Sequence, residues 1–231
     1  MNKRMIKNVI FDAYGTLIST GDGSVKATQA IFHRHAPLLD AKDIYREWKQ
    51  HHRRHIDTLT EFITEKEIFI RDLTRLYDKY HISSCAAVDV EPMIASQYGR
   101  DLFPETRDAI HDLSSSYHIA IGSTTDSEPL VYNLNRAGLR INHVFTSESL
   151  RIYKPKKEFY EAILDYMGWN AHETLFVGDS LADDVIGPKN AGMKAILLDR
   201  KGIYLEQKTH PAPDAVIQNL AQLKDIIPTI T

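Results

Sequence analysis

The chain of 231 residues carries a formal net charge of -3, with 43% hydrophobic and 26% charged residues, the balance of an ordinary soluble globular protein with a sizeable core. That charge gives no argument for nucleic acid or an anionic membrane as a partner, and no run approaches the roughly 18 apolar residues of a spanning helix. The single cysteine, Cys85, excludes an intramolecular disulfide or a thiolate metal cluster within one chain, so a reducing, cytoplasmic setting is expected.

In chain order, the basic start Met1 to Lys7 precedes an apolar run that Asp12 and Gly15 interrupt, too short for a signal-peptide core. The first predicted strand, Asn8 to Phe11, ends in Asp12, and Gly15-Thr16 follows: this is how a chain presents an aspartate as a nucleophile. Tyr14 stands two residues after it. From about Gly21 to Gly99 there is no convincing strand. Ile44, Trp48, His52 and His55 fall near one helical face, and Ile68, Leu73, Leu76 and Tyr80 define another. Gly21-Asp22-Gly23-Ser24 is the turn at the entry to this stretch, and Phe103-Pro104 marks the return from it. Further short runs rich in β-branched residues then alternate with helical patterns: Ile119 to Gly122, His143 to Phe145, Thr174 to Val177 and Ala195 to Leu198. The pattern predicts an α/β fold, a Rossmann-like doubly wound parallel sheet of residues 1–19 and 100–231, with an α-helical cap inserted over residues 20–99.

In such a sheet, ligands bind beyond the carboxyl ends of the strands where strand order reverses. Four clusters fall at strand ends: Asp12 to Thr16, Ser123-Thr124, Lys154-Pro155, and Gly178-Asp179-Ser180 with Asp183-Asp184. Asp12 and Asp179 brought together repel, and a hard divalent cation with oxygen ligands, Mg²⁺, is the simplest partner for both. A phosphate group would complete its shell. Ser123 and nearby amides are donors for phosphoryl oxygens, and Lys154 supplies positive charge. Each residue has a plainer reading alone: Asp12 as a turn or cap residue, Ser123 as a polar strand end, Lys154 as a solvated lysine, and Asp183 and Asp184 as partners of a helix dipole. Four ordered motifs outweigh them. In the cap, Lys49 to His55 reads mostly as a solvated helix face, the sharper alternative being that Lys49, Arg53 or Arg54 meets an anionic substrate. Trp48, Tyr45 and Phe69 read as cap core, and Cys85 as an inert small side chain.

The motifs Phe11-Asp12-Ala13-Tyr14-Gly15-Thr16-Leu17, Ile121-Gly122-Ser123-Thr124-Thr125-Asp126, Tyr153-Lys154-Pro155 and Val177-Gly178-Asp179-Ser180 through Asp184, Gly187 and Ala191-Gly192-Met193 resemble those of the haloacid dehalogenase-like hydrolase superfamily. The resemblance includes the tail from Leu198 to Ile217, and only the cap is generic. It implies Asp12 as nucleophile, with Ser123 and Lys154 holding a phosphoryl group and Tyr14, Gly15, Thr16 and Thr124 lining the same site. It further implies Mg²⁺ held by Asp12, the Tyr14 carbonyl and Asp179, with Asp184 supporting metal-bound water and Asp183 its rival. Family phosphatases usually carry an acid-base aspartate at the Tyr14 position, and Asp-Ala-Tyr-Gly-Thr-Leu is similar to the metal-independent 2-haloacid dehalogenases. The aspartates of the fourth motif favour a Mg²⁺-dependent phosphatase of a small phosphorylated metabolite, acting as a monomer or homodimer. A dehalogenase is the enzyme alternative, and a phosphoryl-ligand-binding protein with little or no turnover is the third. A helical lid would expel water and set substrate choice.

Overall fold

The structure, a computed structural model, describes residues 5–204 and 211–230. The first four residues of the basic start, and 205–210 of the tail from Leu198 to Ile217, lie outside the described residues. The elements are, in order, β1 (Asn8–Phe11), α1 (Gly23–Phe32), α2 (Ala41–Thr58), α3 (Glu65–Lys79), α4 (Thr106–Ser114), β2 (His118–Ser123), α5 (Ser127–Arg136), β3 (Val144–Thr146), α6 (Lys157–Met167), β4 (Thr174–Gly178), β5 (Lys194–Leu198) and β6 (Ala215–Ile217), with shorter helical turns between them. Two compact units result: Met1–Ser19 with Asp101–Thr124 and Ala137–Thr231, and Thr20–Arg100 with Thr125–Arg136.

The first unit is the doubly wound α/β core. Its six strands run parallel in the order β3-β2-β1-β4-β5-β6. Every residue of β1 and β4 is buried, because both faces of a parallel sheet are covered, and this is why these segments read as mostly apolar runs, each opening on one polar residue, Asn8 or Thr174. Ile10 and Phe176 pack against Phe159, Tyr160 and Ile163 of α6. Each fully buried Ile or Phe contributes roughly 1.5–3 kcal/mol. The chain winds from β1 through β2 to β3, then returns to place β4 on the other side of β1. Strand order therefore reverses between β1 and its two neighbours.

The second unit is helical. Asp40 starts α2 by accepting from the amides of Lys42 (2.8 Å) and Asp43 (3.1 Å), and the Thr64 hydroxyl starts α3 by accepting from the Glu67 amide at 3.2 Å. Ile44 and Trp48 of α2 meet Leu73 and Leu76 of α3 and Phe32 of α1 in one core, with Tyr45 and Phe69 packed against it. The run Lys49 to His55 is less solvated than its charges imply. Lys49, Gln50 and Arg54 are exposed, but His55 is buried with its Nδ1 2.9 Å from Asp72 Oδ1, and His52 is only partly exposed. Helical periodicity explains the split, since every third or fourth residue turns to the core. No helix among the described residues is long and apolar enough to cross a membrane.

Candidate active site

Strand register assembles the site. Phe11 pairs with Ile121 of β2 and with Val177 of β4, and the Asp12 amide donates to the Val177 carbonyl at 2.9 Å. One residue further on, Asp12 leaves the sheet level with Gly122 and Gly178, and Ser123 and Asp179 come next. This is the reversal of strand order, where α/β sheets open a ligand crevice.

The chain after Asp12 closes a tight turn, in which Gly15 donates to the Ile18 carbonyl and Leu17 and Ile18 both donate to the Ala13 carbonyl, each at 2.8 Å. Gly15 has φ +95°, and a Cβ there would overlap the Asp179 carboxylate. Glycine is required both for the left-handed backbone and for the close approach. Gly178 has a similar duty, because a Cβ on it would collide with the Asp184 carboxyl group.

Lys154 ties the motifs together. Its Nζ donates to Asp12 Oδ1 at 2.8 Å and to Asp184 Oδ1 at 2.7 Å, and Ser123 Oγ donates to the same Asp12 oxygen at 3.3 Å. At 2% exposed, Lys154 is a buried cation, and removing one partner of a buried pair costs about 3–5 kcal/mol. The other Asp184 oxygen accepts from the Ser180 amide at 2.8 Å. A π-helical turn, Leu181–Ile186, carries Asp183 and Asp184, and such turns are frequent at functional sites. Asp184 enters the cluster, whereas Asp183 contributes its backbone: its amide donates to Ser180 Oγ at 3.2 Å and its carbonyl accepts from the Tyr160 hydroxyl.

Asp12, Asp179 and Asp184 offer oxygen atoms that all lie within 4.8 Å of one another. Burial, and next the charge of Asp12, raise the Asp179 pKa to about 6. Burial also pushes Asp184 well above the usual carboxylate range, with Asp12 and Asp179 adding to the rise against the opposing charge of Lys154. Burial disfavours the Lys154 cation too, but Asp12 and Asp184 outweigh it and hold its pKa well above the ordinary value. Acids and base are thus shifted in the direction that adds positive charge. A purely carboxylate donor set short of positive charge fits a hard divalent cation. The buried hydroxyls of Thr16 and Thr124 have no hydrogen-bond partner among the described residues, so they could donate to an anion. Tyr14 forms a backbone bridge with Ile18, and its side chain is partly exposed.

Two further residues hold the site without a sequence motif to announce them. Tyr160 of α6 fixes the π-helical turn through the Asp183 carbonyl, and Arg200, after β5, reaches the carbonyls of Gly15 and Thr16. The strand-end rule that selects the other clusters applies equally to Asp199-Arg200.

A parallel sheet with a buried aspartate-lysine-aspartate cluster at its strand reversal defines a hydrolase organised around a carboxylate. Residues 6–192 match the family model of the haloacid dehalogenase-like hydrolases, and the chain belongs to that family. It is 29% identical over 131 residues to the glyceraldehyde 3-phosphate phosphatase of Methanothermobacter thermautotrophicus, a match covering 54% of this chain and 58% of that protein. The chain spans little more than half the length of the phosphatases of this name that it matches. Among solved structures, L-2-haloacid dehalogenase from Xanthobacter autotrophicus superposes with a TM-score of 0.81 at 20% identity, covering 98% of this chain and 100% of that one. The HAD-hydrolase YfnB from Bacillus subtilis, solved bound to magnesium, gives 0.80 at 21% identity, covering 96% and 99%. At these identities the structural likeness is one of fold.

Proposed function

We propose that this chain is a Mg²⁺-dependent phosphohydrolase of a small phosphorylated metabolite that works through an aspartyl-phosphate on Asp12. The observation that carries this is the charge imbalance at the strand reversal: three clustered carboxylates share the one ammonium of Lys154 that contacts Asp12 and Asp184. A carboxylate substrate entering that cluster without a cation meets like charge. A phosphate monoester accompanied by a divalent cation does not. The relatives named as phosphatases of glyceraldehyde 3-phosphate support the same substrate class.

Asp12 attacks phosphorus in line, the ester P–O bond breaks, and the leaving oxygen departs with the bonding pair. Water then hydrolyses the acyl phosphate, releasing phosphate and restoring the carboxylate. Lys154 orients Asp12 through Oδ1 and offsets charge on the transferring group, while Ser123 donates to the same carboxylate oxygen. Thr16 and Thr124 are the hydroxyls left to meet phosphoryl oxygens. Asp12, the Tyr14 carbonyl, Asp179 and Asp184 would hold Mg²⁺, which when bound polarises a phosphoryl oxygen as a Lewis acid. With Tyr14 two residues after the nucleophile, the best-served substrates have leaving groups that need little protonation.

Hydrolysis of p-nitrophenyl phosphate with Mg²⁺ and with chelator, in the native protein and in Asp12→Asn, is the test. Loss of at least about 10³-fold on removing either the metal or the Asp12 carboxylate is expected; turnover surviving in either case sinks the proposal. Tyr14 within Asp-Ala-Tyr-Gly-Thr-Leu favours the second reading, a 2-haloacid dehalogenase, and halide release from a 2-haloacid in chelator would support it.

A further inference from the structure

We propose that Arg200 is a positioning residue for the nucleophile turn, a guanidinium clamp that fixes the backbone following Asp12; this rests on Asp12 being the nucleophile. Three edges of its planar fork are engaged at once. Nη2 donates to the Thr16 carbonyl at 2.8 Å, Nε to the Gly15 carbonyl at 3.3 Å, and Nη1 to Glu105 Oε1 at 2.6 Å. Its flat face lies over the Phe103 ring, with the central carbon 3.6 Å from the ring centroid. Stacking and a three-way fork select arginine over lysine, whose ammonium is a point donor on a flexible stem.

The two carbonyls belong to the turn that carries Gly15, where the backbone is left-handed and abuts the Asp179 carboxylate. A small rotation of that peptide would alter the direction of Asp12 and the spacing to Asp179 together. The clamp has fixed footings on both sides. Asp199 accepts from the amides of Ile203 (3.0 Å) and Tyr204 (2.7 Å) and donates its own amide to the Ile217 carbonyl at 2.7 Å. Thr106 Oγ and the Phe103 amide donate to the Leu17 carbonyl at 2.9 and 3.0 Å, so the segment carrying Phe103 and Glu105 is tied to the same turn. Burial works against the Glu105 charge, but Arg200 more than offsets it and holds that carboxyl below the usual range, so the pair stays ionic at neutral pH. The clamp spends its donors on carbonyls and Glu105, so its influence on the reaction runs through the turn. Misplacing reacting atoms by about 1 Å costs on the order of 10²-fold.

Arg200→Met, which keeps the apolar stem, and Arg200→Lys test this through two readouts: kcat and KM for p-nitrophenyl phosphate with Mg²⁺, and hydrogen exchange of the Gly15, Leu17 and Ile18 amides. Arg200→Met should lower kcat by about 10- to 100-fold with KM within about twofold, and should speed exchange at those amides while the sheet amides keep their protection. Arg200→Lys, the milder change, should fold normally and recover only part of kcat. Native kcat or native exchange in Arg200→Met overturns the proposal, as does full recovery of kcat in Arg200→Lys. An inactive native protein would mean failure of the phosphatase reading, and the exchange measurement then decides the clamp alone.

Discussion

On the proposed phosphatase reading, Tyr14 would shift a burden onto the substrate, because the residue two positions after Asp12 is a phenol, whose reference pKa is about 10, in place of a carboxylic acid. Restoring the acid with Tyr14→Asp should raise turnover of alkyl phosphates by about 10- to 100-fold and change aryl phosphates little, since general acid-base help matters most for poor leaving groups. Parallel kinetics on glycerol phosphate and p-nitrophenyl phosphate check this, and equal changes on both would dismiss the account. Asp179 carries a second expectation. With its pKa raised to about 6 by burial and Asp12, a proton competes with a divalent cation for the carboxylate below that pH and not above it. Mg²⁺ affinity should weaken by up to about tenfold per pH unit as pH falls below about 6; titrations at pH 5, 6 and 7.5 that give one constant would count against Asp179 as a ligand. Asp12, Ser123 and Lys154 are legible in the sequence because each closes an apolar strand or follows a recognisable motif, and their meeting through Asp12 Oδ1 is a matter of register. Arg200 follows a strand end that the same rule would flag, but which carbonyls it meets only the folded chain defines; Tyr160 has no such signal, since it acts on a backbone carbonyl alone.

Among the elements, α3 is anchored at its N-terminus by a residue distant in sequence. Asp126 accepts from the Glu65 amide through Oδ1 (2.8 Å) and from the Lys66 amide through Oδ2 (3.0 Å), while Thr125 Oγ donates to Glu65 Oε2 at 3.2 Å. A carboxylate here satisfies two orphan donors and complements the helix dipole. Asp126→Ala should cost about 1–2 kcal/mol and lower Tm by about 2–4 °C per kcal/mol, with Asp126→Asn intermediate. Calorimetry on both variants measures it, and an unchanged Tm for the alanine variant refutes the anchoring role. A cap supplied from far along the chain leaves no local signature in the sequence. Strand legibility follows the same logic. Burial on both faces makes β1 and β4 stand out, whereas β6 spans three residues with only Ile217 buried, too little apolar sequence to register as a run. Likewise α5 looks in sequence like any crossover helix. Its grouping with the helical unit depends on contacts such as Asn133 Nδ2 to the Gln97 carbonyl (2.7 Å) and Arg136 to the Gly99 carbonyl (2.9 Å).

For the molecule as a whole, stability should depend on pH through His52. Its Nδ1 lies 3.3 Å from Asp72 Oδ2, its Nε2 3.6 Å from Glu65 Oε1, and its ring stacks on Phe69 at 4.9 Å between centroids. Burial opposes its charge, yet Asp72 and Glu65 prevail and raise the pKa to about 9. Because the folded value exceeds the unfolded one of about 6.5, the stabilisation is fully present below about pH 6.5 and is lost as pH rises through about 9. Its size is on the order of 3–4 kcal/mol. Urea unfolding at pH 6 and pH 10 should show this loss in the native protein and a smaller one in His52→Gln; matching losses in the two would remove His52 as the cause. The strand order has a consequence in time. β1 is synthesised before the other five strands of its sheet, yet it lies inside the sheet between β2 and β4. At about 5–20 residues per second, β4 leaves the ribosome roughly 8–32 s after β1. Through that interval a mostly apolar strand keeps an open hydrogen-bonding edge, and Asp12 waits for Lys154. A nascent chain in that condition is a template for pairing with other chains, so translation speed and chaperone occupancy bear directly on how much enzyme a cell obtains.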